Sequence, residues 1–410
     1  MIEITGKYNK AKVLVSDWTK LEDACYKQIL NLLNQKFAED SNIAIMPDTH
    51  AGIGCVIGFT QTIVDKVVPN LVGVDIACGM HVLKIDGKFG RNIFNPSGLE
   101  MLDKVIRQNI PMGMSHRSKA HKNIEYLNLQ NCIANINTEK LLLSVGSMGG
   151  GNHFIEVDVD QQGDYYIVIH SGSRHLGVEI CKYWQNKAIE YHKHNTKDRD
   201  KIIAGLKASG REQDIQSELS KLKKETIPNE LAYLEGEELK GYLHDMEIAQ
   251  EFAYWSRKTM LDEIIEGMAI KKKMIVDEFV TLHNYVDVTN KIVRKGAISL
   301  QKGEVAIIPI NMSYGSLIVK GKGNKDYNFS GPHGAGRLMS RSAAKASLRM
   351  EDFKASMKDV FSTTVSSATI DEAPLAYKPV EEITENIKEL CDIIEVIKPV
   401  YNIKAESFDA

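Results

Sequence analysis

Leu21, Cys25, Ile29 and Leu32 recur at helical spacing, so the pattern predicts a helix from Trp18 to about Phe37. The apolar run Ile43-Ala-Ile-Met46 then predicts a short strand. It leads into PDTHAGIGCVIGF at 47–59, where a proline and glycines between apolar runs require a loop. A second strand-loop pair follows in VPNLVGVDIACGM at 68–80. Residues 140–175 use that grammar twice more. LLLSVGSMGGGNHFIEV places a glycine-rich turn before the alternating strand pattern HFIEVDV, and YYIVIH runs apolar up to His170 before SGSRH breaks it.

Residues 176–265 change character. Ile215, Leu219 and Leu222, then Ile248, Phe252 and Trp255, follow helical spacing among charged positions, with KHNTKDRD at 193–200 as a polar break. This stretch predicts a predominantly helical section covering the sheet. Beyond it lie LHNYVDV at 282–288, RKGAISL at 294–300, VAIIPI at 305–310 and SLIVKGKGN at 316–324. GPHGAGRLMSRSAAKASL at 331–348 joins a glycine-rich loop to a helix, and VYNIKAESFDA closes the chain. Without clean βαβ spacing, the order predicts an α+β protein with mixed or antiparallel sheets and covering helices. One domain over 1–410 is expected.

Composition narrows the function. The 410 residues are 43% hydrophobic and 26% charged with 10 prolines, which places the chain in the globular class. Lys and Arg number 51 against 54 Asp and Glu, a net charge of −3. A general DNA-packing protein is thereby disfavoured, and any polyanion must be held by a local basic surface or through metal ions. No run of 18 apolar residues occurs, and the opening MIEITGKYNK lacks a signal-peptide pattern, so a cytoplasmic protein without membrane association is expected. Six cysteines, at 25, 55, 78, 132, 181 and 391, show no zinc-ribbon or disulfide-framework spacing.

Asp75 and Cys78 in VDIACGM offer a carboxylate and a thiolate in one turn, and a thiolate sulfur can bridge two cations. His153 follows GGGN, His170 ends an apolar strand and His283 precedes Asn-Tyr. Singly, each is more often a satisfied structural histidine; their shared glycine-flanked or strand-end settings favour one site. The mixed soft and hard set suits Zn, Mn, Fe or Co, and spacing does not choose among them. In GPHGAGR, His333 lies between Gly331 and Gly334, with Gly336 and Arg337 beyond. Glycines bare backbone N–H groups to phosphate, arginine clamps it, and an imidazole nitrogen can attack phosphorus. The Ser340–Leu348 helix offers an anion-binding N-terminus. Arg294, Lys295, Lys320, Lys322, Lys325, Arg341 and Lys345 are candidates for a local basic surface. These residues indicate a metal-dependent phosphate-transfer enzyme.

The blocks PDTHAGIG, VGVDIACGM, GGGNHFIE, HSGSR, HNY, RKGA, HGAGRLMSR and, at 374–378, PLAYK together closely resemble the RtcB family of RNA-splicing and repair ligases, from about residue 43 to 404. The resemblance implies an RtcB-like fold and a GTP- and Mn²⁺-dependent enzyme that joins an RNA 3′-phosphate or 2′,3′-cyclic phosphate to a 5′-hydroxyl. It implies a two-manganese centre of Asp75, Cys78, His153, His170 and His283, with Cys78 bridging. His333 would take GMP, in a loop with Gly334 and Gly336. Asn152 would contact phosphate, Glu156 and Lys404 would read guanine, and Tyr377 would pack on it. Arg174 and Arg341 match arginines that handle RNA phosphate. An archease-like activator is a further implied partner. The chain departs from the family pattern at Ile53 (usually Lys), at Ala77 (commonly Gly), in GPHGAGR for SCSHGAGR, and at Ala405 with the residues after it. Substrate choice and rate are where those departures should be felt, consistent with a paralogue devoted to RNA repair. Competing readings are a manganese phosphoesterase or nucleotidyltransferase that never seals RNA, and a noncatalytic RNA-binding factor.

Overall fold

The computed structural model describes residues 1–193, 196–221 and 227–405. Two large sheets organise them. The six-stranded sheet has the order Ile2–Thr5, Lys10–Val13, Ile43–His50, Ile57–Thr62, Ile292–Lys295 and Asn284–Asp287. The seven-stranded sheet runs Ile275–Leu282, Gly79–Ile85, Tyr165–Ser171, Phe154–Val159, Cys391–Lys404, Gly315–Gly321 and Val305–Asn311. Among the described strands only the pairing of Lys10–Val13 with Ile43–His50 is parallel. Hairpins and longer returns thus replace βαβ crossovers, as the element order predicts.

Helices cover both sheets. Ile4, Val13, Ile45 and Phe59 of the first sheet pack with Cys25, Ile29 and Leu32 of the helix Asp23–Leu33 and with Ile180 and Trp184 of the helix His175–Lys193. Leu83, Ile155, Val157, Ile167 and Ile169 of the second sheet pack against Leu102 and Ile106 of the helix Pro96–Asn109. The 32-residue helix Gly236–Gly267 serves both cores. Its N-terminal part gives Tyr242, Met246 and Phe252 to one, and its C-terminal part gives Met260, Leu261 and Ile264 to the other. Each such fully buried side chain contributes roughly 1.5–3 kcal/mol, so this helix ties the sheets together.

Three boundaries differ from the sequence reading. The predicted Trp18–Phe37 helix is a 3₁₀ turn at Trp18–Lys20 followed by the α-helix Asp23–Leu33, because Asp17 caps the turn and Leu21 then turns extended. The predicted Ile43–Met46 strand continues to His50, buried almost throughout. Its pairing with the next strand shifts between Ile45 opposite Phe59 and His50 opposite Ile57, and Asp48 lies within that irregularity. The helix after the glycine loop covers only Arg341–Ser347, and the Ser340 hydroxyl already accepts from Ala343 N–H, so it is too short and too well capped to be an anion site of its own. Ile215 and Leu219 lie on the helix Ile215–Lys221, whereas Leu222 and residues 194–195 of the polar break lie outside the described residues.

Candidate active site

Antiparallel order gathers distant residues at one sheet edge. Leu282 stands opposite Gly79 and Gly79 opposite Ser171, while His170 faces Phe154 and Phe154 faces Lys404. Successive strands therefore end, begin, end, begin and end at the same edge. His283, Cys78, His170, His153 and Lys404 follow one another along it. The His283 N–H donates to the Cys78 carbonyl at 2.9 Å, and Cys78 N–H donates to the Asp75 carbonyl at 3.2 Å. Glycine is needed beside them: a Cβ at Gly172 would run into the Asp75 carboxylate, and one at Gly149 into the His153 ring.

The ligand atoms form two triads that share one sulfur. Asp75, Cys78 and His153 make one, and Cys78, His170 and His283 the other, each with donor atoms within 4.8 Å of one another. Cys78 Sγ lies 3.2 Å from Nε2 of both His153 and His170, and His153 Nε2 lies 3.0 Å from Asp75 Oδ2. His170 Nδ1 donates to the Asn152 carbonyl at 3.2 Å, which turns the Nε2 lone pair toward the sulfur. Burial drives His170 and His283 far below the usual imidazole range, so both are neutral and able to ligate. Burial, then the Asp75 charge, pushes the Cys78 thiol well up, so a cation is needed to hold it as thiolate. Burial also opposes ionisation of Asp75, but the hydrogen bond from His153 wins and holds it at about 2. With Nδ1 of His153 and of His283 buried and unpartnered among the described residues, the five donors fit a pair of divalent cations sharing Cys78.

Behind the cluster, Arg257 is fully buried, and its Nη1 donates to the carbonyls of Ala77 at 2.8 Å and Ser171 at 2.7 Å. Those residues precede Cys78 and follow His170. Ala77 has φ 57°, a left-handed conformation natural for the glycine common at this place in the family pattern and strained for alanine.

A cavity of about 400 Å³ opens beside the cluster. Asn152, Glu156, His333, Gly334, Gly336, Arg341, Tyr377 and Lys404 line it, and so does His170, which joins it to the metal ligands. The His333 and His283 rings lie 4.9 Å apart. His333 Nδ1 donates to Asp48 Oδ2 at 2.5 Å, and its backbone N–H reaches the same oxygen at 3.1 Å. Asp48 thereby fixes the ring and leaves Nε2 as the basic nitrogen. Arg174 lies apart from the cavity, on the metal side, donating to the Gly113 carbonyl at 2.5 Å and to Ser147 Oγ at 3.3 Å.

A buried carboxylate organises the far wall. Glu372 accepts from Tyr377 at 2.5 Å, Lys404 at 3.2 Å, Arg337 at 3.1 Å and Arg341 at 2.8 Å. Burial resists its ionisation, but Lys404 and Arg341 overcome it and hold the carboxyl at about 2. Lys404 also donates to the Asn152 carbonyl at 3.3 Å. Glu156 accepts from Asn402 at 2.6 Å, and burial lifts its carboxyl to about 7. Sequence reasoning missed Asp48, His50, Asp371, Glu372, Asn402 and Arg257. Asp48 and His50 stand inside PDTHAGIG, and Asp371-Glu372 is separated from PLAYK only by Ala373, so proximity to a motif was the available signal.

The expected basic surface is corrected in part. Arg294 is 0% and Lys295 3% exposed. Arg294 donates to Tyr285, Asp287 and Ser330, and Lys295 to the carbonyls of Ile53, Cys55 and Asn70. Both brace the interior. Arg341 is tied to Asp371 and Glu372 and belongs to the cavity.

Comparison with known proteins agrees with this geometry. The chain is 29% identical over 428 residues to "RNA-splicing ligase RtcB" of Escherichia coli (strain K12), covering 95% of this chain and 97% of that one. It is 26% identical over 397 residues to "RNA-splicing ligase RtcB2" of Escherichia coli (strain ATCC 25922), with 88% and 86% covered. To "tRNA-splicing ligase RtcB" of Nanoarchaeum equitans it is 23% identical over 452 residues, with 88% of each chain covered. The family model described as tRNA-splicing ligase RtcB matches residues 28–136 and 129–405, nearly the whole chain, and the protein belongs to the RtcB family.

Proposed function

We propose that this protein is an RNA ligase that joins a 3′-phosphate or 2′,3′-cyclic phosphate end to a 5′-hydroxyl end, using GTP and manganese. The observation that carries the reading is one cavity lined both by Asp48-braced His333 and by His170, one of the five donors around Cys78. Two Mn²⁺ ions, held by Asp75, Cys78, His153, His170 and His283, would supply neutralisation of phosphoryl oxygens and polarisation of the attacking hydroxyl.

The chain's own residues do the rest. His333 Nε2 attacks the α-phosphorus of GTP, the phosphoanhydride bond breaks, and pyrophosphate leaves. Asp48 keeps the proton on Nδ1 and stabilises the charge on the imidazole. A terminal RNA phosphate then takes GMP from His333, and the 5′-hydroxyl displaces GMP to form the new phosphodiester. A cyclic end is first opened by hydrolysis. Guanine is read by Glu156, which accepts from N1–H and the exocyclic amine, and by Lys404, which donates to O6 once released from Glu372. Tyr377 packs on the base, Asn152 meets phosphate, Gly334 and Gly336 bare the loop backbone, and Arg174 and Arg341 handle RNA phosphate. The protein works in the cytoplasm on cleaved RNA, as a repair or tRNA-splicing enzyme, with an archease-like activator as a candidate partner.

The test is labelling with α-labelled GTP and Mn²⁺, followed by ligation. Acid-labile, base-stable label on His333, and joining of 3′-phosphate to 5′-hydroxyl RNA but not of 3′-hydroxyl to 5′-phosphate RNA, are expected. H333A should take no label yet seal a pre-formed 3′-guanylylated RNA. Absence of label on the wild-type protein would refute the reading.

A further inference from the structure

Arg294 and Lys295 are internal, so a chain of net charge −3 that acts on RNA needs its cationic surface elsewhere. The segment Met114–His121, with Lys122 after it, has no helix or strand of its own and is rich in cationic and titratable groups: His116, Arg117, Lys119, His121 and Lys122. Its root is fastened to the metal side of the site. Gly113 accepts from Arg174 through its carbonyl and donates from its N–H to the Met148 carbonyl at 3.0 Å, just before the Gly149–His153 turn. Arg117 braces the loop by donating to the Val145 and Gly146 carbonyls and pairing with Glu263 at 3.0 Å.

The outer part of the loop is open. Met114 is 80% exposed, and His116, Lys119 and Lys122 are exposed as well. Lys258 nearby is consumed by Asp262 and Glu278, whereas Lys119 and Lys122 form no ion pair among the described residues. Beyond Lys122, Tyr126 stacks on Trp255 with centroids 4.1 Å apart and planes at 15°, and Tyr126 remains 49% exposed. Asn123 donates to Thr259 at 3.0 Å and pins this corner to the long helix. Unpaired ammonium groups leading from the catalytic edge to an aromatic platform form a pairing suited to single-stranded nucleic acid, whose backbone is anionic and whose bases stack.

We propose that the Gly113–Lys122 loop and the Tyr126–Trp255 stack hold single-stranded RNA next to the ends being joined. This inference rests on the ligase reading, and its test does not depend on catalysis. A labelled single-stranded RNA with a 3′-phosphate is titrated by fluorescence anisotropy at several salt concentrations against wild type, K119E/K122E, Y126A and, as a charge-matched control at exposed lysines outside any site, K36E/K291E. Loss of two phosphate contacts should flatten the log–log salt dependence by about 1.4 and weaken binding on the order of tenfold at low salt. Y126A should weaken binding at least severalfold with the salt slope unchanged. The control should stay near wild type, and all variants should label His333 with GMP as wild type does. Unchanged RNA affinity in K119E/K122E and Y126A would assign the loop to another partner, such as a protein, and overturn the proposal. Equal losses in loop and control variants would overturn it too, by tracing them to net charge, as would a wild-type protein that binds no RNA.

Discussion

Replacing Asp48 with Asn isolates what one buried carboxylate does for His333, the proposed nucleophile. Asp48 is 0% exposed, and its Oδ2 holds both the Nδ1–H and the backbone N–H of His333. A hydrogen bond to a charged group contributes about 1.5–3 kcal/mol, and each 1.36 kcal/mol of barrier is about tenfold in rate. Loss of the charge alone should therefore slow guanylylation by roughly 10- to 150-fold. A second effect adds to it. An Asn amide that turns its NH₂ toward Nδ1 stabilises the tautomer with the proton on Nε2, where the lone pair must attack, so the combined loss should reach about 10²–10⁴-fold, the scale seen when another Asp–His pair is so altered. Single-turnover labelling with α-labelled GTP measures it directly. Sealing of 3′-guanylylated RNA should fall far less, because the step that needs a basic Nε2 is complete. A folded, metal-loaded D48N protein that labels at the wild-type rate would refute this account of His333.

C78A should lose far more manganese than C25A, since Cys78 belongs to both ligand triads and Cys25 only packs the core; equal metal stoichiometry by elemental analysis would defeat the shared-sulfur arrangement. A77G should raise the unfolding free energy by up to about 1 kcal/mol, because it removes left-handed strain at the cost of some unfolded-state entropy; a lower midpoint in urea would contradict this. The Glu372 carboxyl is depressed from 4.5 to about 2 in the folded protein, so its stabilisation is present above about pH 4.5 and is lost as pH falls toward 2. By linkage this amounts to at most about 3 kcal/mol. E372Q should be less stable at neutral pH and show a weaker loss across that window, and parallel acid-unfolding curves for the two proteins would sink the assignment.

Much of the fold was readable because half-buried and buried strands write themselves as apolar runs: YYIVIH and VAIIPI lie in the strands Tyr165–Ser171 and Val305–Asn311. Residues 47–50 were not, because proline and polar side chains read as a loop although the segment is extended and mostly buried. The metal donors stood out through their glycine-flanked strand ends. Their electrostatic support did not, since Asp48 and His333 are separated by 285 positions and nothing local to either announces the other. Arg294-Lys295 misled for a related reason. Adjacent cations on a strand suggest an outer face, yet this strand lies between two others, and internal acceptors receive both side chains.

The shared sheet edge also makes metal occupancy a test of strand alignment. Side chains alternate faces along a strand, so a one-residue slip sends every ligand on it to the wrong side. His170 and His153 come from neighbouring strands whose partners are fixed residue by residue, while Cys78 and His283 bracket another such pair. A chain that collapsed with one strand misaligned would keep most of its apolar burial and still lack a complete donor set. An extra residue in the Asp160–Asp164 turn, at the distal end of the Phe154–Val159 and Tyr165–Ser171 hairpin, can be absorbed by the turn, whereas one within either strand cannot. Completion of the donor set thus waits on correct pairing of the sheet, and a chain with one strand misaligned should hold less metal.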